Sequence, residues 1–415
     1  MAEKTVTPGV VTDVRVRPAK GGITAPAGFK TAGVHCGIKA AASALDLAIL
    51  AADGPASAAA LFTTNLAQAA PITLSRRHID QTQGTARAVV VNSGCANACT
   101  GEDGLAHARM MAVETATAVG CAPEEVLVAS TGVIGVALKI DRVIAGIRAA
   151  AAALSPANGS AAARAIMTTD PFPKEHAVVV ETPQGAFSVG GMAKGSGMIE
   201  PNMATMLGFL TTDANVPPAV LRQALQASAR DTFNAITVDG ECSTNDCLFA
   251  IASGASGVTI DGASYPALLD GLLAVSRELA LGIVRGGEGA TKLIAVTVTE
   301  ARTIDAARQV ARTIANSPLV KTAVHGADPN WGRIVAAAGR SGVTFDIERA
   351  TVQVGGTVLF ENGRPHDDAA PQAAEHLKGR TVQIEVSLGS GTESATIWTC
   401  DLTAEYVRIN GEYRT

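Results

Sequence analysis

Aromatic residues are scarce in this sequence of 415 residues, at 3% of the chain with only two tryptophans. Proteins that hold single-stranded nucleic acid depend on aromatic side chains for base stacking, so this scarcity disfavours such a surface. The formal net charge of −5 likewise provides no basic footprint for a polyanion. The two deficits together favour a small or amphoteric substrate and predict no nucleic-acid partner.

Long apolar runs are also missing. No run approaches the roughly 20 residues that a membrane-spanning helix needs. The first 20 residues are polar and lack the apolar centre of a secretory signal. The seven cysteines form an odd and scattered set, which is typical of free thiols in a reducing compartment. We therefore expect a cytoplasmic protein without a membrane partner.

Several common site motifs are absent. The chain has no G-x-x-x-x-G-K-[ST] loop, no strand-coupled G-x-G-x-x-G and no G-x-S-x-G elbow. Cys95 and Cys99 are not accompanied by histidines or a second cysteine pair at zinc-like spacing. Nucleotide binding and a metal site are therefore not expected.

The hydrophobic and charged contents of the chain are those of a globular protein with a large core. Hydrophobic residues make up 47% and charged residues 17%, and the length suits two or three domains or one large layered unit. Short apolar runs predict strands at 88–91 and 126–129, and two strands around a Gly-Pro turn within 47–62. Helical periodicity predicts a helix over 107–119 that ends at Gly120. The chain is thus predicted to be mixed α/β.

A loop rich in glycine and small residues occupies the middle of the chain, over residues 191–207. Thr205 carries the only hydroxyl between Ser196 and Thr211 and precedes an apolar run that predicts a strand. One interpretation is a flexible connection between two domains, and this stretch alone favours it. The other is that Thr205 attacks the carbonyl of Ala204, splits the chain and becomes an N-terminal nucleophile.

Clusters of small polar residues follow or precede other predicted strands. Residues 92–101 follow one strand, and residues 237–247 precede another. Thr131 and Gly132 end a third strand and place a hydroxyl beside a backbone N–H, a pair suited to an oxyanion. Glu288 stands among three glycines. Each of these clusters also has a plainer interpretation as an ordinary turn.

Taken together, these motifs make the chain resemble the ornithine acetyltransferase family of arginine biosynthesis, also called bifunctional glutamate N-acetyltransferase / amino-acid acetyltransferase. The resemblance extends over residues 21–415. It rests on residues 130–132 (STG), 165–170 (AIMTTD), 191–198 (GMAKGSGM), 204–207 (ATML), 243–246 (STND), 287–292 (GEGATK) and 328–333 (DPNWGR).

The resemblance implies specific roles for residues of this chain. Such proteins cleave themselves at the bond matching Ala204–Thr205, and Thr205 is then the nucleophile of acetyl transfer. Thr131 and Gly132 match the oxyanion hole. The positions that match substrate contacts are Thr168, Lys194, Thr205, Glu288, Asn410 and Thr415.

The resemblance also implies a fold and an assembly. The fold is a layered α-β-β-α sandwich of the self-processing Thr-nucleophile type with a smaller C-terminal α/β lobe. Cleavage yields an α chain (1–204) and a β chain (205–415) that stay together, as an α2β2 heterotetramer. No metal or cofactor is implied, although some members also take the acetyl group from acetyl-CoA, which is a candidate co-substrate.

The implied reaction moves an acetyl group from N2-acetylornithine to L-glutamate by a ping-pong route through acetyl-Thr205. Two other hypotheses fit parts of the sequence. A self-processing aminopeptidase or amidase would use the same nucleophile but pass the acyl group to water. A non-catalytic small-molecule-binding protein would use the polar clusters without any cleavage.

Overall fold

The computed structural model describes residues 14–200 and 206–412. The predictions on Ala204, Thr205 and Thr415 therefore concern positions outside the described residues. The larger part of the structure is one nine-stranded sheet with six helices. Its strands are β1 (Arg15–Pro18), β2 (Phe29–Val34), β3 (Leu47–Phe62), β4 (Thr85–Cys95), β5 (Val126–Val133), β6 (Lys174–Thr182), β7 (Gly185–Lys194), β8 (Leu207–Thr212) and β9 (Cys247–Ala252), and its helices are α1 (Ala70–Gln81), α2 (Gly101–Val119), α3 (Ile140–Ala152), α4 (Gly159–Ala165), α5 (Pro218–Arg230) and α6 (Tyr265–Arg285).

The 16-residue strand β3 connects the two halves of this sheet. Its first half pairs with β2 and β4, whereas residues 57–62 pair with β9. The pairing with β4 shifts register between Ala51 and Ala56, around Gly54 and Pro55. The prediction of two strands separated by a turn is therefore wrong. A register irregularity accommodates proline within one continuous strand, so the Gly-Pro pair does not end it.

Alternation of side chains along β3 divides the apolar residues into layers. Ala48 and Leu50 belong to a core shared with Phe209 and Phe249 of the other half of the sheet. Leu47 and Ile49, on the opposite face, pack with residues of α2 and α3. The outer face of the other half packs in the same way against α5 and α6. The layers are therefore α-β-β-α, as the sequence predicted.

A smaller lobe follows the sandwich and contains a six-stranded sheet. The central strands β10 and β14 are parallel, and helices cover one sheet face through a separate core. The predicted C-terminal α/β lobe is thus confirmed. Its strands are β10 (Leu293–Ala301), β11 (Thr351–Val354), β12 (Thr357–Glu361), β13 (Arg364–Pro365), β14 (Thr381–Ser387) and β15 (Glu393–Cys400), and its helices are α7 (Ile304–Ala315), α8 (Pro318–His325), α9 (Trp331–Gly339), α10 (Ala370–Leu377) and α11 (Ala404–Glu412).

Other local predictions from the sequence are confirmed with longer bounds. The strands predicted at 88–91 and 126–129 are β4 and β5. Helix α2 ends as predicted at Gly120, whose φ of 76° is the left-handed conformation of a helix C-terminus. In the part of the chain that is described, none of the helices combines the length and apolar character of a membrane span.

The predicted boundary between residues 204 and 205 falls between β7 and β8, which are antiparallel neighbours in the large sheet. Strands β3 and β9, also from opposite sides of that boundary, are paired as well. The two segments therefore share one hydrogen-bonded sheet and its cores. A break in the chain at this point would leave them held together by these ladders.

The inner core yields a stability prediction. Phe249 is buried and packs edge-on against both Phe62 and Phe209, with ring centroids 5.8 Å apart in each pair. Replacing it by alanine opens a cavity between the two halves of the sheet. We expect Phe249→Ala to lower the free energy of unfolding by about 3–5 kcal/mol. Denaturant unfolding measures this change.

Leu66→Ala is the matched control, because the Leu66 side chain is fully exposed. It should alter the free energy of unfolding by less than about 0.5 kcal/mol. Equal effects of the two substitutions would contradict the inner-core assignment.

Candidate active site

A polar pocket lies where the ends of β5 and β7 meet the beginnings of β8 and β9, with α11 of the smaller lobe beside it. Met206, which follows Thr205 in the chain, is part of its wall. The structure brings together all the predicted site residues that it describes. They are Thr131, Gly132, Thr168, Lys194, Glu288 and Asn410.

The predicted oxyanion pair lies at the end of β5. Gly132 has a φ of 128°, and a Cβ at this position would stand 2.3 Å from the carbonyl carbon of Gly94 on β4. Only glycine fits such a backbone contact. Beside it, the Lys194 ammonium donates to Thr131 Oγ1 at 3.3 Å. A hydroxyl, a cation and a glycine backbone thus lie close together in the pocket lining.

Glu288 supplies a buried acidic side chain to the pocket lining. It is only 6% exposed, so the interpretation of a solvated turn is wrong. Its carboxylate accepts hydrogen bonds from Thr169 Oγ1 and Asn410 Nδ2, both at 2.8 Å. Gly197 permits the close approach, since a Cβ there would be 2.3 Å from Glu288 Oε2. The pocket lining therefore carries both a basic side chain, Lys194, and acidic side chains such as Glu288.

The predicted contact Thr168 also lines the pocket, but its neighbour Thr169 holds Glu288. The backbone N–H of Thr168 donates to Asp170 Oδ2 at 3.0 Å, whereas the Thr169 hydroxyl reaches Glu288. Sequence reasoning did not include Thr169 among the site residues. The adjacent pair of threonines in the motif was the signal that could have indicated it.

Sequence reasoning also missed a buried ion pair beneath the pocket. Lys174 Nζ lies 2.5 Å from Asp170 Oδ1, and both side chains are almost completely buried. Gly195 N donates to the same carboxylate at 2.8 Å. Burial opposes ionisation of Asp170, but the charges of Lys194 and Lys174 and the Gly195 N–H outweigh it and lower the pKa to about 2. Asp170 thereby fixes the backbone directly after Lys194, the last residue of β7.

Three further acidic residues of the polar stretch 237–247 line the pocket, namely Asp239, Glu241 and Asp246. Asp239 accepts a hydrogen bond from the Tyr406 hydroxyl at 3.2 Å. Asp246 is 3% exposed, and burial raises its pKa well above the ordinary value. Its Oδ2 has no hydrogen-bond partner within residues 14–200 and 206–412. The wall thus includes a carboxyl group that burial favours in its neutral form.

The polar side chains of the other cluster, residues 92–101, form hydrogen bonds that hold the local backbone. Asn92 Nδ2 donates to Cys95 O, and Asn97 Nδ2 donates to Gly104 O. Asn245 Nδ2 donates to Ala96 O and Ser130 O and so connects this turn to the pocket wall. The plainer interpretation of an ordered strand-to-helix turn therefore holds here.

No group of three or more potential metal ligands is present in the described part of the chain. All seven cysteines are free thiols.

The fold and the pocket define an α-β-β-α protein with a polar pocket of opposite charges, suited to a small amphoteric molecule. A family model described as the ArgJ family matches residues 30–415. The chain therefore belongs to the ArgJ family of arginine biosynthesis, which confirms the family that its motifs indicate. It is accordingly a transferase of that pathway, as predicted.

Individual relatives match over nearly the whole length. The arginine biosynthesis bifunctional protein ArgJ of Symbiobacterium thermophilum is 52% identical over 95% of this chain and 99% of that protein. The corresponding protein of Thermosynechococcus vestitus is 48% identical over 95% of this chain and 98% of that protein.

A solved structure matches a smaller part of the chain. It is an ornithine acetyltransferase of Mycobacterium tuberculosis in complex with ornithine, which is 42% identical and covers 46% of this chain and all of that chain, with a TM-score of 0.42.

The buried Asp170 yields a prediction on acid stability. Its pKa is about 2 in the folded protein, below the ordinary value of 3.8. The corresponding stabilisation, about 2 kcal/mol, is therefore complete well above pH 3.8 and is lost as the pH falls towards 2. In urea titrations, we expect Asp170→Asn to be less stable than the wild type at pH 6 and the difference to shrink towards pH 2.

Asp305→Asn is the control for this titration, since the Asp305 side chain is 92% exposed. Its stability should follow that of the wild type across the same range. A difference between Asp170→Asn and the wild type that stays constant from pH 6 to pH 2 would contradict the assigned charge state.

Proposed function

We propose that this protein transfers an acetyl group from N2-acetylornithine to L-glutamate through an acetyl ester on Thr205, after cleaving itself between Ala204 and Thr205. The observation that carries the proposal is the convergence of Thr131, Gly132, Lys194 and Glu288 on one pocket beside Met206. Membership of the ArgJ family supports the same reaction.

Self-cleavage comes first in this scheme. Thr205 Oγ attacks the carbonyl carbon of Ala204, the peptide C–N bond breaks, and the nitrogen of Thr205 takes up a proton and becomes a free amine. Water then hydrolyses the resulting ester and leaves a carboxylate on Ala204. The products are the α chain 1–204 and the β chain 205–415, which the shared sheet would hold together.

The new amine then makes Thr205 a usable nucleophile. A threonine hydroxyl needs a nearby base, and an α-amino group with an ordinary pKa of about 7.7–8.0 is partly neutral at neutral pH. This amine accepts the hydroxyl proton as Thr205 Oγ attacks the acetyl carbonyl of N2-acetylornithine. When the C–N bond of the substrate breaks, the proton passes to the departing nitrogen and ornithine leaves.

Glutamate completes the cycle. Its neutral amine attacks the acetyl-Thr205 ester, Thr205 Oγ leaves with a proton, and N-acetylglutamate forms. Both half-reactions pass through an oxyanion, which the Thr131 hydroxyl and the Gly132 N–H would hold. The Lys194 ammonium beside Thr131 adds positive charge where the negative charge develops.

Both substrates are α-amino acid derivatives, so the pocket has to recognise common groups. Lys194 is the natural partner of a carboxylate and Glu288 of an ammonium group, with Thr168 and Asn410 as further contacts. Thr415 completes the proposed set. We also propose an α2β2 assembly in the cytoplasm, with acetyl-CoA as a candidate second acetyl donor.

Thr205→Ala tests the nucleophile. We expect this variant to remain a single chain of 42.0 kDa on a denaturing gel. It should also release no ornithine from N2-acetylornithine and glutamate, because self-cleavage and acetyl transfer both need the Thr205 hydroxyl. Thr73→Ala, on the exposed face of α1, is the control and should be cut and active.

An active Thr205→Ala variant, or a wild type without a fragment that begins at Thr205, would overturn the proposal. Sustained ornithine release by the wild type without glutamate would instead indicate a hydrolase, in which water takes the acetyl group.

Thr131→Val tests the oxyanion donor. Valine keeps the shape of the side chain but removes the hydroxyl, so we expect kcat to fall by about 10²–10³-fold with a smaller change in KM. Steady-state assays of ornithine release measure both constants. Thr73→Val provides the same substitution at an exposed site, and a kcat that fell equally in both variants would contradict the role of Thr131.

A further inference from the structure

The polar stretch 237–247 holds the chain on both sides of residues 201–205. Before them, Val238 N donates to Ile199 O at 2.7 Å, and Glu200 N donates to Glu241 O at 2.7 Å. After them, Cys247 N donates to Met206 O at 3.0 Å. A single short stretch therefore fixes the backbone immediately before and after the five residues that include Ala204 and Thr205.

Asp239 is the centre of the contacts on the N-terminal side. Its carboxylate accepts from Met198 N at 2.7 Å and from Ile199 N at 2.8 Å. Met198 has a φ of 58°, in the left-handed region that residues with a side chain seldom adopt. Such a conformation costs on the order of 1 kcal/mol or more and persists only when its surroundings impose it. The charge-assisted bonds to Asp239 supply that constraint.

Glu200 connects the same segment to the smaller lobe. Its carboxylate accepts from Thr237 Oγ1 at 3.0 Å and from Asn316 Nδ2, and its Oε1 lies 3.9 Å from Arg312 Nη1. Burial lowers the pKa of Arg312, and the carboxylate of Glu200 acts in the opposite direction. Glu200 does not line the pocket. These contacts therefore order the chain without taking part in substrate binding.

We propose that residues 237–241, together with Arg312 and Asn316, form a clamp that positions the chain for self-cleavage, with Glu200 as the positioning residue that the clamp holds. The proposal rests on the self-cleavage proposed above. Intramolecular attack requires the reacting atoms to stay close and aligned, and fixing the backbone near both atoms lowers the entropic cost of that arrangement. The contacts of Glu200 would thus set the rate of processing, whereas acetyl transfer by the cut protein would not depend on them, because Glu200 does not line the pocket.

The test follows processing of the full-length chain as it is synthesised. Pulse-labelled protein is chased and separated on denaturing gels, for the wild type, Glu200→Ala, Glu200→Gln and Thr237→Val. We expect Glu200→Ala to slow cleavage by at least about tenfold. Glu200→Gln keeps an amide that still accepts hydrogen bonds, and Thr237→Val removes only one of the donors to Glu200, so both should slow cleavage by about two- to fivefold. Asp305→Asn, an exposed carboxylate on α7, should be cut at the wild-type rate.

A second measurement separates positioning from general damage. Once cleavage is complete, kcat and KM for ornithine release should stay within about twofold of wild type in the Glu200 variants. Cleavage of all three variants at the wild-type rate would overturn the clamp alone. A loss of kcat in the cut variants as large as the loss of processing rate would also overturn it.

Failure of the proposed function would look different, because the wild type itself would then remain uncut. If Glu200→Ala fails to fold, shown by the absence of a cooperative thermal transition, Glu200→Gln and Thr237→Val decide the question by the same criteria.

Discussion

The continuity of β3 is the constraint on which the rest of the structure depends. One strand pairs with β4 through its first half and with β9 through its second half. Because of this, a single sheet folds over its own inner core, and strands from opposite halves end beside one another. Thr131 at the end of β5 and Lys194 at the end of β7 come within hydrogen-bond distance in this way. The pocket therefore forms because the sheet folds over its own core and brings the ends of these strands together.

Charge in and below the pocket is balanced by short-range contacts. Asp170 forms an ion pair with Lys174 and accepts a hydrogen bond from Gly195 N, directly after Lys194. Glu288 accepts hydrogen bonds from two neutral donors. A buried charge without such partners would be strongly destabilising. Lys194 donates to a hydroxyl, and Glu288 accepts from an amide and a hydroxyl. In the proposed function, these two charges contact a substrate that carries the opposite ones.

Local features were predictable from the sequence because they depend on neighbouring residues. The strands predicted at 88–91 and 126–129 lie within β4 and β5, and α2 ends at Gly120 as predicted. The six predicted site residues that the structure describes line one pocket, and all of them except Asn410 lie in the motifs that carry the family resemblance. The roles of all the predicted site residues remain predictions, and Thr205 and Thr415 lie outside the described residues.

Long-range contacts were not predictable in the same way. Gly54 and Pro55 suggested a turn, yet ladder partners far along the chain keep β3 extended through them. Glu200 lies in the glycine-rich central stretch and contacts Asn316, 116 positions further on. The residues next to Glu200 and Asp170 in the sequence do not indicate which distant groups form hydrogen bonds or ion pairs with these two carboxylates. Only the closed sheet and the docked lobe bring these partners together.

If Thr205 carries the acetyl group, the fragment that begins at Thr205 gains mass during the reaction. The cut protein is mixed with N2-acetylornithine in the absence of glutamate, quenched in acid and weighed by mass spectrometry. We expect a gain of one acetyl group, located on Thr205 by fragmentation and lost when glutamate is added before the quench. Continued ornithine release with no acetylated fragment, or an acetyl group on another residue, would contradict it.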